Sequence, residues 1–301
     1  KAFLETTHEE YRRRFGDAFG KEIRAFFTDE PHLASAGAGA MYGGFPFSRH
    51  IAREYRLEHG EDLMPRVADL LVDRPEAART RFRYYRTLAR LFRDNFVRVL
   101  FDWCEANGVE FTGHFMEHEW PYPFINPNSM DCYEFQHIPG IDLLRPQYDH
   151  DAPGESSLFL MTVRELNSAA NQLGKKRRFC EVHGVGGHDA TFENFKRLID
   201  WLVVHGVNYL DEHLAFSTLA GVRKYDHPQT FTDHSCWFPG QYRAVGDYQA
   251  RLVAALVDGK QRNRVLLLHP TATGWILANP TESKNPPVGG KAWFDTPMTS
   301  L

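Results

Sequence analysis

Little in the composition of this chain is unusual, and what it lacks excludes several classes of protein. Its four cysteines, Cys104, Cys132, Cys180 and Cys236, form no CxxC pair, which argues against structural zinc and an obligate disulfide framework. No apolar run approaches the length of a membrane span. The formal net charge of -4 gives no case for a nucleic-acid partner or a membrane surface.

What is present is an ordinary globular composition with many aromatic residues. The 301 residues are 43% hydrophobic and 25% charged, which suits one large domain or one and a half. Aromatic residues make up 14% of the chain, and their rings can stack on sugar faces, although most aromatic side chains form core. The sequence begins at Lys1 in the middle of a pattern, so we expect a fragment of a longer protein. Its compartment is left open, with an extracellular or periplasmic parent as one candidate.

Helical and strand patterns alternate along the chain. Between Glu76 and Asn107 apolar residues recur with a period near 3.6, which predicts a long helix that ends at Asn107-Gly108. Further helices are predicted at about 8–20, 163–173, 191–204 and 242–258, and strands at about 22–28, 109–115, 133–135, 178–182, 207–211 and 264–270.

This repeated αβ unit favours a parallel sheet, either open or closed into a (β/α)8 TIM-type barrel. Only about five barrel strands can be counted, so we expect the first strands to lie upstream. The prediction is an α/β protein with an N-terminally incomplete, TIM-barrel-like catalytic domain at 1–258. The strand at 264–270 is apolar throughout, as in a central strand. It predicts the start of a second α/β domain, or a tail, at 259–301.

Two predicted strand ends carry carboxylates far apart in the sequence. The run Phe26-Phe27-Thr28 stops at Asp29-Glu30-Pro31, and Phe179-Cys180 leads to Glu181-Val182-His183-Gly184. Chemistry in parallel α/β proteins lies at the carboxyl ends of strands, and two carboxylates there can cleave a glycosidic bond. Glu30 is the candidate general acid, because aromatic walls and a neighbouring acid, here Asp29, can keep such a carboxyl protonated. Glu181 is the candidate nucleophile or base.

Other strand ends offer rivals and helpers. Asp211-Glu212-His213 forms one of them, and Glu212 is a rival base. Another collects His114, Glu117, His118 and Glu119, which could bind a metal, hold sugar hydroxyls or hydrogen-bond internally. The His-x-x-x-His spacing resembles half a zinc site only on a helix, whereas a strand exit is predicted here. The candidates for substrate binding are Asp29, His114, Glu119, His183, His213, Trp120 and Trp237.

Short motifs along the chain resemble those of a known family. They are Phe3-Leu4-Glu5-Thr6-Thr7-His8, Phe27-Thr28-Asp29-Glu30-Pro31, Ser168-Ala169-Ala170 with Gly174-Lys175, Glu181-Val182-His183-Gly184, Asp200-Trp201 with Gly206-Val207-Asn208, and His213-Leu214-Ala215-Phe216-Ser217. In this order, over about 1–270, the chain resembles uncharacterised glycoside hydrolases akin to the α-L-rhamnosidases of family 106.

The resemblance implies a TIM-type catalytic barrel followed by an α/β domain of amidotransferase-like shape. It implies that Glu30 is the general acid at the end of the fourth barrel strand and that Glu181 ends the seventh. Rhamnosidase-like relatives invert the anomeric centre and use a calcium ion near the sugar, so calcium is the one cofactor implied. The sequence departs from the pattern at Asp211-Glu212-His213, where we expect an apolar residue or Pro before the histidine. The second catalytic carboxylate therefore stays open between Glu181 and Glu212, as does calcium.

From these residues we predict a glycosidase acting on polysaccharide side chains, with an α-L-rhamnoside as the candidate substrate. Two carboxyl groups about 5–5.5 Å apart favour retention, and about 6.5–9.5 Å favours inversion. One alternative is a metal-dependent TIM-barrel hydrolase, if His114, His118, His183 and His213 converge on one ion. Another is a non-catalytic carbohydrate-binding barrel. The sugar, the linkage and the oligomeric state are left open by the sequence.

Overall fold

The structure is a computed structural model that describes residues 2–33, 45–117, 123–144, 155–184, 190–213, 220 and 240–278. The chain divides into two compact units, Lys1–Pro139 with His269–Pro286 and Gly140–Leu268 with Pro287–Leu301. The helices are α1 (Ala2–Thr6), α2 (His8–Phe15), α3 (Arg49–His59), α4 (Ala77–Phe92), α5 (Arg98–Ala106), α6 (Ser129–Tyr133), α7 (Glu155–Leu173), α8 (Phe192–Val204), α9 (Tyr242–Leu256) and α10 (Thr271–Leu277). The strands are β1 (Ala25–Thr28), β2 (Glu110–Gly113), β3 (Gly140–Asp142), β4 (Phe179–Val182) and β5 (Tyr209–Glu212). None of these helices has both the length and the apolar character needed to cross a membrane.

The long helix predicted between Glu76 and Asn107 is confirmed, with one irregularity. α4 passes into a π-helical segment, Arg93–Val97, which continues into α5, and the chain then turns at Gly108 with a φ of 68°. The apolar stripe of α4 packs against α3 and α10 in the core of the first unit. That core contains Ile51, Tyr55, Leu63, Leu70, Tyr84, Tyr85, Leu88, Phe124, Ile125 and Trp275.

In the first unit, β1 and β2 pair in parallel and bring two strand exits side by side. Their register joins Ala25 to Glu110 and Thr28 to Gly113. Gly113 has a φ of 111°, and a Cβ there would lie 2.1 Å from the carbonyl oxygen of Thr28. Only glycine fits such a backbone conformation at such a close approach. The end of β2 therefore depends on this glycine.

We expect Gly113→Ala to destabilise the fold by about 3 kcal/mol or more, because it adds a backbone clash to an unfavourable positive φ. Gly60→Ala is the matched control, since Gly60 has a φ of 70° but nothing lies within 4 Å of its added Cβ. That control should cost only about 1–2 kcal/mol. Urea unfolding of both variants measures the two free energies, and equal losses would contradict the assigned clash.

His8 joins α2 to the back of β1 through a buried aromatic cluster. The residue is 5% exposed, and its ring stacks on Phe26 at 4.5 Å and meets the edge of Trp103 at 5.0 Å between ring centroids. The Nδ1 of His8 shares a hydrogen bond of 2.7 Å with the hydroxyl of Thr7. Burial lowers the pKa of His8, against an opposing contribution from the charge of Glu9. The strand that leads to Glu30 thus packs on a histidine that favours its neutral form.

Acidification should therefore destabilise the protein through His8. Because the pKa of His8 is lowered on folding, the unfolded state takes up the proton first as pH falls. The stability that His8 contributes is complete above about pH 6.5 and is lost as pH falls towards the folded pKa. In His8→Phe, which keeps an aromatic ring against Phe26, we expect the melting temperature to fall less between about pH 7.5 and pH 5.5. An unchanged pH dependence in thermal unfolding would contradict this assignment.

In the second unit, β3, β4 and β5 form a parallel sheet in that order. The register places Asp142 opposite Glu181 and Glu181 opposite Asp211. Since side chains alternate along a strand, these three carboxylates lie on one face of the sheet. The other face carries Leu210, which packs on a core formed with α8 and α9: Ala190, Phe195, Ile199, Val203 and Val245.

Two predicted strands are wrong. Residues 133–135 do not form one, because the buried Tyr133 ends α6 and the next strand is the three-residue β3. Residues 264–270 form none either: Val265–Leu268 are 77–88% exposed, and this run has no ladder partner in the described part of the chain. An apolar run becomes a strand only where a neighbour satisfies its backbone groups. A second α/β domain from residue 259 stays a prediction.

The α/β class with parallel pairing is confirmed. Among the described residues, the strands form a two-stranded sheet and a three-stranded sheet, and they do not make a closed barrel.

Candidate functional site

Glu30 lies two residues beyond β1, in an irregular segment fixed by hydrogen bonds from its neighbours. Its φ of 45° is left-handed, and its carbonyl oxygen accepts a hydrogen bond of 2.8 Å from Nδ1 of His32. The amide of Leu33 then donates to the carbonyl of Ile125 at 3.0 Å. Glu30 is half-buried. The structure thus fixes the backbone of the candidate general acid in an unusual conformation.

His114 lies at the exit of the neighbouring strand, beside Asp29. It is fully buried, and its amide donates to the Thr28 carbonyl at 3.1 Å. Its ring makes a T-shaped contact with the ring of Phe27, with the two centroids 5.4 Å apart. Its Nε2 is 3.8 Å from a carboxylate oxygen of Asp29, whose side chain is 77% exposed. Two residues predicted to bind substrate are therefore neighbours here, one at the surface and one beneath it.

The rest of the β2 exit is held by internal hydrogen bonds. The buried Glu117 accepts from the amide of Phe115 at 2.8 Å, Asn126 donates to the Phe115 carbonyl at 2.8 Å, and Gln136 donates to the Gly113 carbonyl at 2.9 Å. Of the three roles predicted for this cluster (metal binding, sugar binding and internal hydrogen bonding), Glu117 has the third. Four other candidate residues lie outside the described residues: His118, Glu119, Trp120 and Trp237.

In the second unit, Glu181 lies between two other acids, on the sheet face opposite the one that packs on α8 and α9. Its side chain is 14% exposed, with Asp142 and Asp211 as its register partners on either side. Desolvation and the charges of Glu181 and Glu212 raise the pKa of Asp211. Asp142 is not among the residues predicted above, although Ile141-Asp142 after Pro139-Gly140 repeats the pattern of an apolar residue followed by an acid.

The histidine that follows each of β4 and β5 lies beside a glutamate of the other strand. Nδ1 of His183, from β4, is 2.6 Å from an oxygen of Glu212, on β5. Conversely, Nε2 of His213, after β5, is 4.0 Å from an oxygen of Glu181, on β4. His183 and His213 thus each lie beside a glutamate of the other strand, and the metal-dependent alternative, in which several of His114, His118, His183 and His213 converge on one ion, stays a prediction.

Among the described residues, strained backbone conformations occur just after the ends of strands. The non-glycine residues with positive φ in this part of the chain are Glu30 at 45°, Met116 at 57° and His183 at 66°. Each follows a parallel strand within three residues. Such conformations are unfavourable for side chains other than glycine and cluster at functional sites. The backbone therefore marks the strand ends that the carboxylate pattern predicts.

The carboxylate face of the second unit also bears on the cofactor that the family resemblance implies. Calcium takes about six to eight oxygen ligands, many of them carboxylates. Asp142 and Asp211 flank Glu181 and offer such oxygens. The pKa of Asp211 is raised by desolvation and then by the charges of Glu181 and Glu212, and a bound cation would offset both effects. The donor chemistry of this face fits calcium.

Parallel strands, most of which end at acidic residues, define an α/β fold. Among solved structures, a rhamnosidase from Novosphingobium sp. PP1Y is similar to it, with a TM-score of 0.58 and 18% sequence identity. The match covers 86% of this chain and 24% of the rhamnosidase, so the chain spans about a quarter of that protein. No protein-family model matches the chain, and no curated protein matches its sequence.

Proposed function

We propose that this protein is a glycoside hydrolase in which Glu30 is the general acid and Glu181 is the second catalytic carboxylate. The observation that carries the proposal is the placement of both glutamates at the carboxyl ends of parallel strands, where Glu30 itself and His183, two residues beyond Glu181, have left-handed backbone. The glycosidase-like fold supports it. We further propose that the described strands belong to a TIM-type barrel and that the substrate is an α-L-rhamnoside of a polysaccharide side chain.

The chemistry follows from what each carboxyl group can do. Glu30 protonates the leaving glycosidic oxygen, which removes the need to expel an alkoxide. Glu181 attacks the anomeric carbon or removes a proton from the attacking water. Asp142 and Asp211 would hold calcium, whose charge when bound would orient sugar hydroxyls. The exposed Asp29, with the buried His114 beneath it, and His213 beside Glu181 are the groups that would hydrogen-bond sugar hydroxyls.

The test is hydrolysis of a panel of aryl and natural glycosides, with α-L-rhamnosides included. We expect turnover of at least one glycoside class by the wild-type protein and none by the Glu30→Gln/Glu181→Gln double variant. Glu22→Gln/Glu193→Gln is the matched control, since both of these glutamates are exposed and precede β1 or begin α8. Sugar binding without turnover would support the non-catalytic barrel instead, and equal turnover by the double variant would contradict the assigned residues.

A further inference from the structure

The Glu212–His183 pair differs in kind from the Glu181–His213 pair. At 2.6 Å the first is a short hydrogen bond, whereas the second, at 4.0 Å, is only a proximity. An ionised carboxylate can only accept, so Nδ1 of His183 is the donor, and Glu212 fixes both the tautomer and the orientation of that ring. The His183 side chain is fully buried, and its ring packs against Phe195 at 4.3 Å.

Glu212 also points to a different side of the sheet from Glu181. It follows Asp211 in β5, so alternation places it on the face of Leu210, which packs on α8 and α9. Tyr242, at the start of α9, lies near it: burial first, and then the charge and hydrogen bonding of Glu212, raise the pKa of Tyr242. Glu212 is therefore held on the helix-facing side, away from the carboxylate face.

His183 in turn controls the chain immediately after Glu181. Its φ of 66° makes a left-handed turn two residues beyond Glu181, and the intervening Val182 carbonyl accepts from the amide of His213 at 2.8 Å. A left-handed histidine persists only where its surroundings fix it. A charge-assisted hydrogen bond to Glu212 is such a restraint.

We propose that Glu212 is a positioning residue that acts through His183 to hold the strand end carrying Glu181, and that Glu212 is not the second catalytic carboxylate. This inference rests on the proposed glycosidase function. It separates the two acids that the sequence left as rivals, since one lies among carboxylates and the other is hydrogen-bonded beneath the helices.

Two replacements of Glu212 test the inference by turnover. Glu212→Gln keeps an oxygen that accepts from His183, so kcat should stay within about threefold of wild type. Glu212→Ala removes it, and kcat should fall by about 10–100-fold with KM nearly unchanged, since small misplacements of a reacting group have effects of this size. The loss of kcat in Glu181→Gln gives the size of effect expected when a catalytic carboxylate is removed.

Two outcomes would overturn the inference while leaving a glycosidase intact. If Glu212→Gln is as inactive as Glu181→Gln, Glu212 itself takes part in the chemistry. If Glu212→Ala lowers the melting temperature but leaves kcat unchanged, the pair is only structural. As a further check, His183→Asn, which tolerates the left-handed turn, should lower kcat no further when combined with Glu212→Ala.

A readout that needs no turnover separates this inference from the proposed function. In nitrogen-15 NMR spectra, His183 should carry its proton on Nδ1 in the wild type and in Glu212→Gln. The side-chain carboxyl carbon resonance of Glu181 should move in Glu212→Ala and not in Glu212→Gln. If no glycoside is hydrolysed, the proposed function fails. These spectra still test whether Glu212 acts on Glu181 through His183, and an unmoved Glu181 resonance in Glu212→Ala would overturn that inference.

Discussion

Glu30→Gln should lower kcat on glycosides with poor leaving groups by about 10³–10⁴-fold, near the upper range of general acid catalysis. The amide keeps the size of the side chain but cannot donate the proton that an alkoxide leaving group requires. On a dinitrophenyl glycoside the loss should be small, because that leaving group departs without protonation. The measurement is kcat for a series of leaving groups of decreasing pKa. A steep dependence on the leaving group in the variant, and a shallow one in the wild type, identifies the proton donor.

The control for this prediction separates chemistry from the strained turn. Glu30 has a φ of 45°, so any replacement is made where the backbone is already unfavourable. Glu30→Gln should therefore be compared with Glu22→Gln, which alters an exposed glutamate before β1 and keeps the Glu30 carboxyl. Glu22→Gln should keep most of the kcat on every leaving group. If Glu30→Gln loses the same factor on all leaving groups, Glu30 is not the acid.

The first unit shows what local patterns can predict. The helix between Glu76 and Asn107 was predictable because its period near 3.6 continues along one unbroken segment and requires no partner. The exit of β1 was predictable for a similar reason, since an apolar run that stops at Asp29-Glu30-Pro31 marks its own boundary. The left-handed φ of Glu30 was not, because it depends on His32 and on the Leu33–Ile125 hydrogen bond.

The second unit shows where local patterns are insufficient. β3 has three residues, too few for any period, and it exists because β4 pairs with it, so Asp142 was missed. The segment 264–270 has the composition of a strand but no ladder neighbour among the described residues. Alternation alone predicts that Asp211 and Glu212 face opposite sides. Which side packs against helices is set by the register with β4 and by the contacts of Leu210.

Glu181→Gln should lower kcat by about 10³–10⁴-fold on poor and good leaving groups alike. Whether Glu181 is the nucleophile or the base for water, its role does not depend on the leaving group, in contrast to that of Glu30. The amide fits the same place on the sheet face between Asp142 and Asp211 and removes one negative charge from it. Stability should therefore not fall, and thermal unfolding beside the kinetics checks that the loss is chemical.

The stereochemistry of the product and rescue by an added nucleophile distinguish the two possible roles of Glu181. Proton NMR of the product formed by the wild type shows the anomer that appears first: retention makes Glu181 the nucleophile, and inversion makes it the base. Added azide, a small nucleophile that needs no deprotonation, should restore part of the rate in Glu181→Ala by entering the space that the missing carboxyl group leaves. In Glu212→Ala azide should have no effect, because Glu212 is bonded to His183 on the helix-facing side. Rescue of Glu212→Ala, with none of Glu181→Ala, would exchange the roles of the two glutamates.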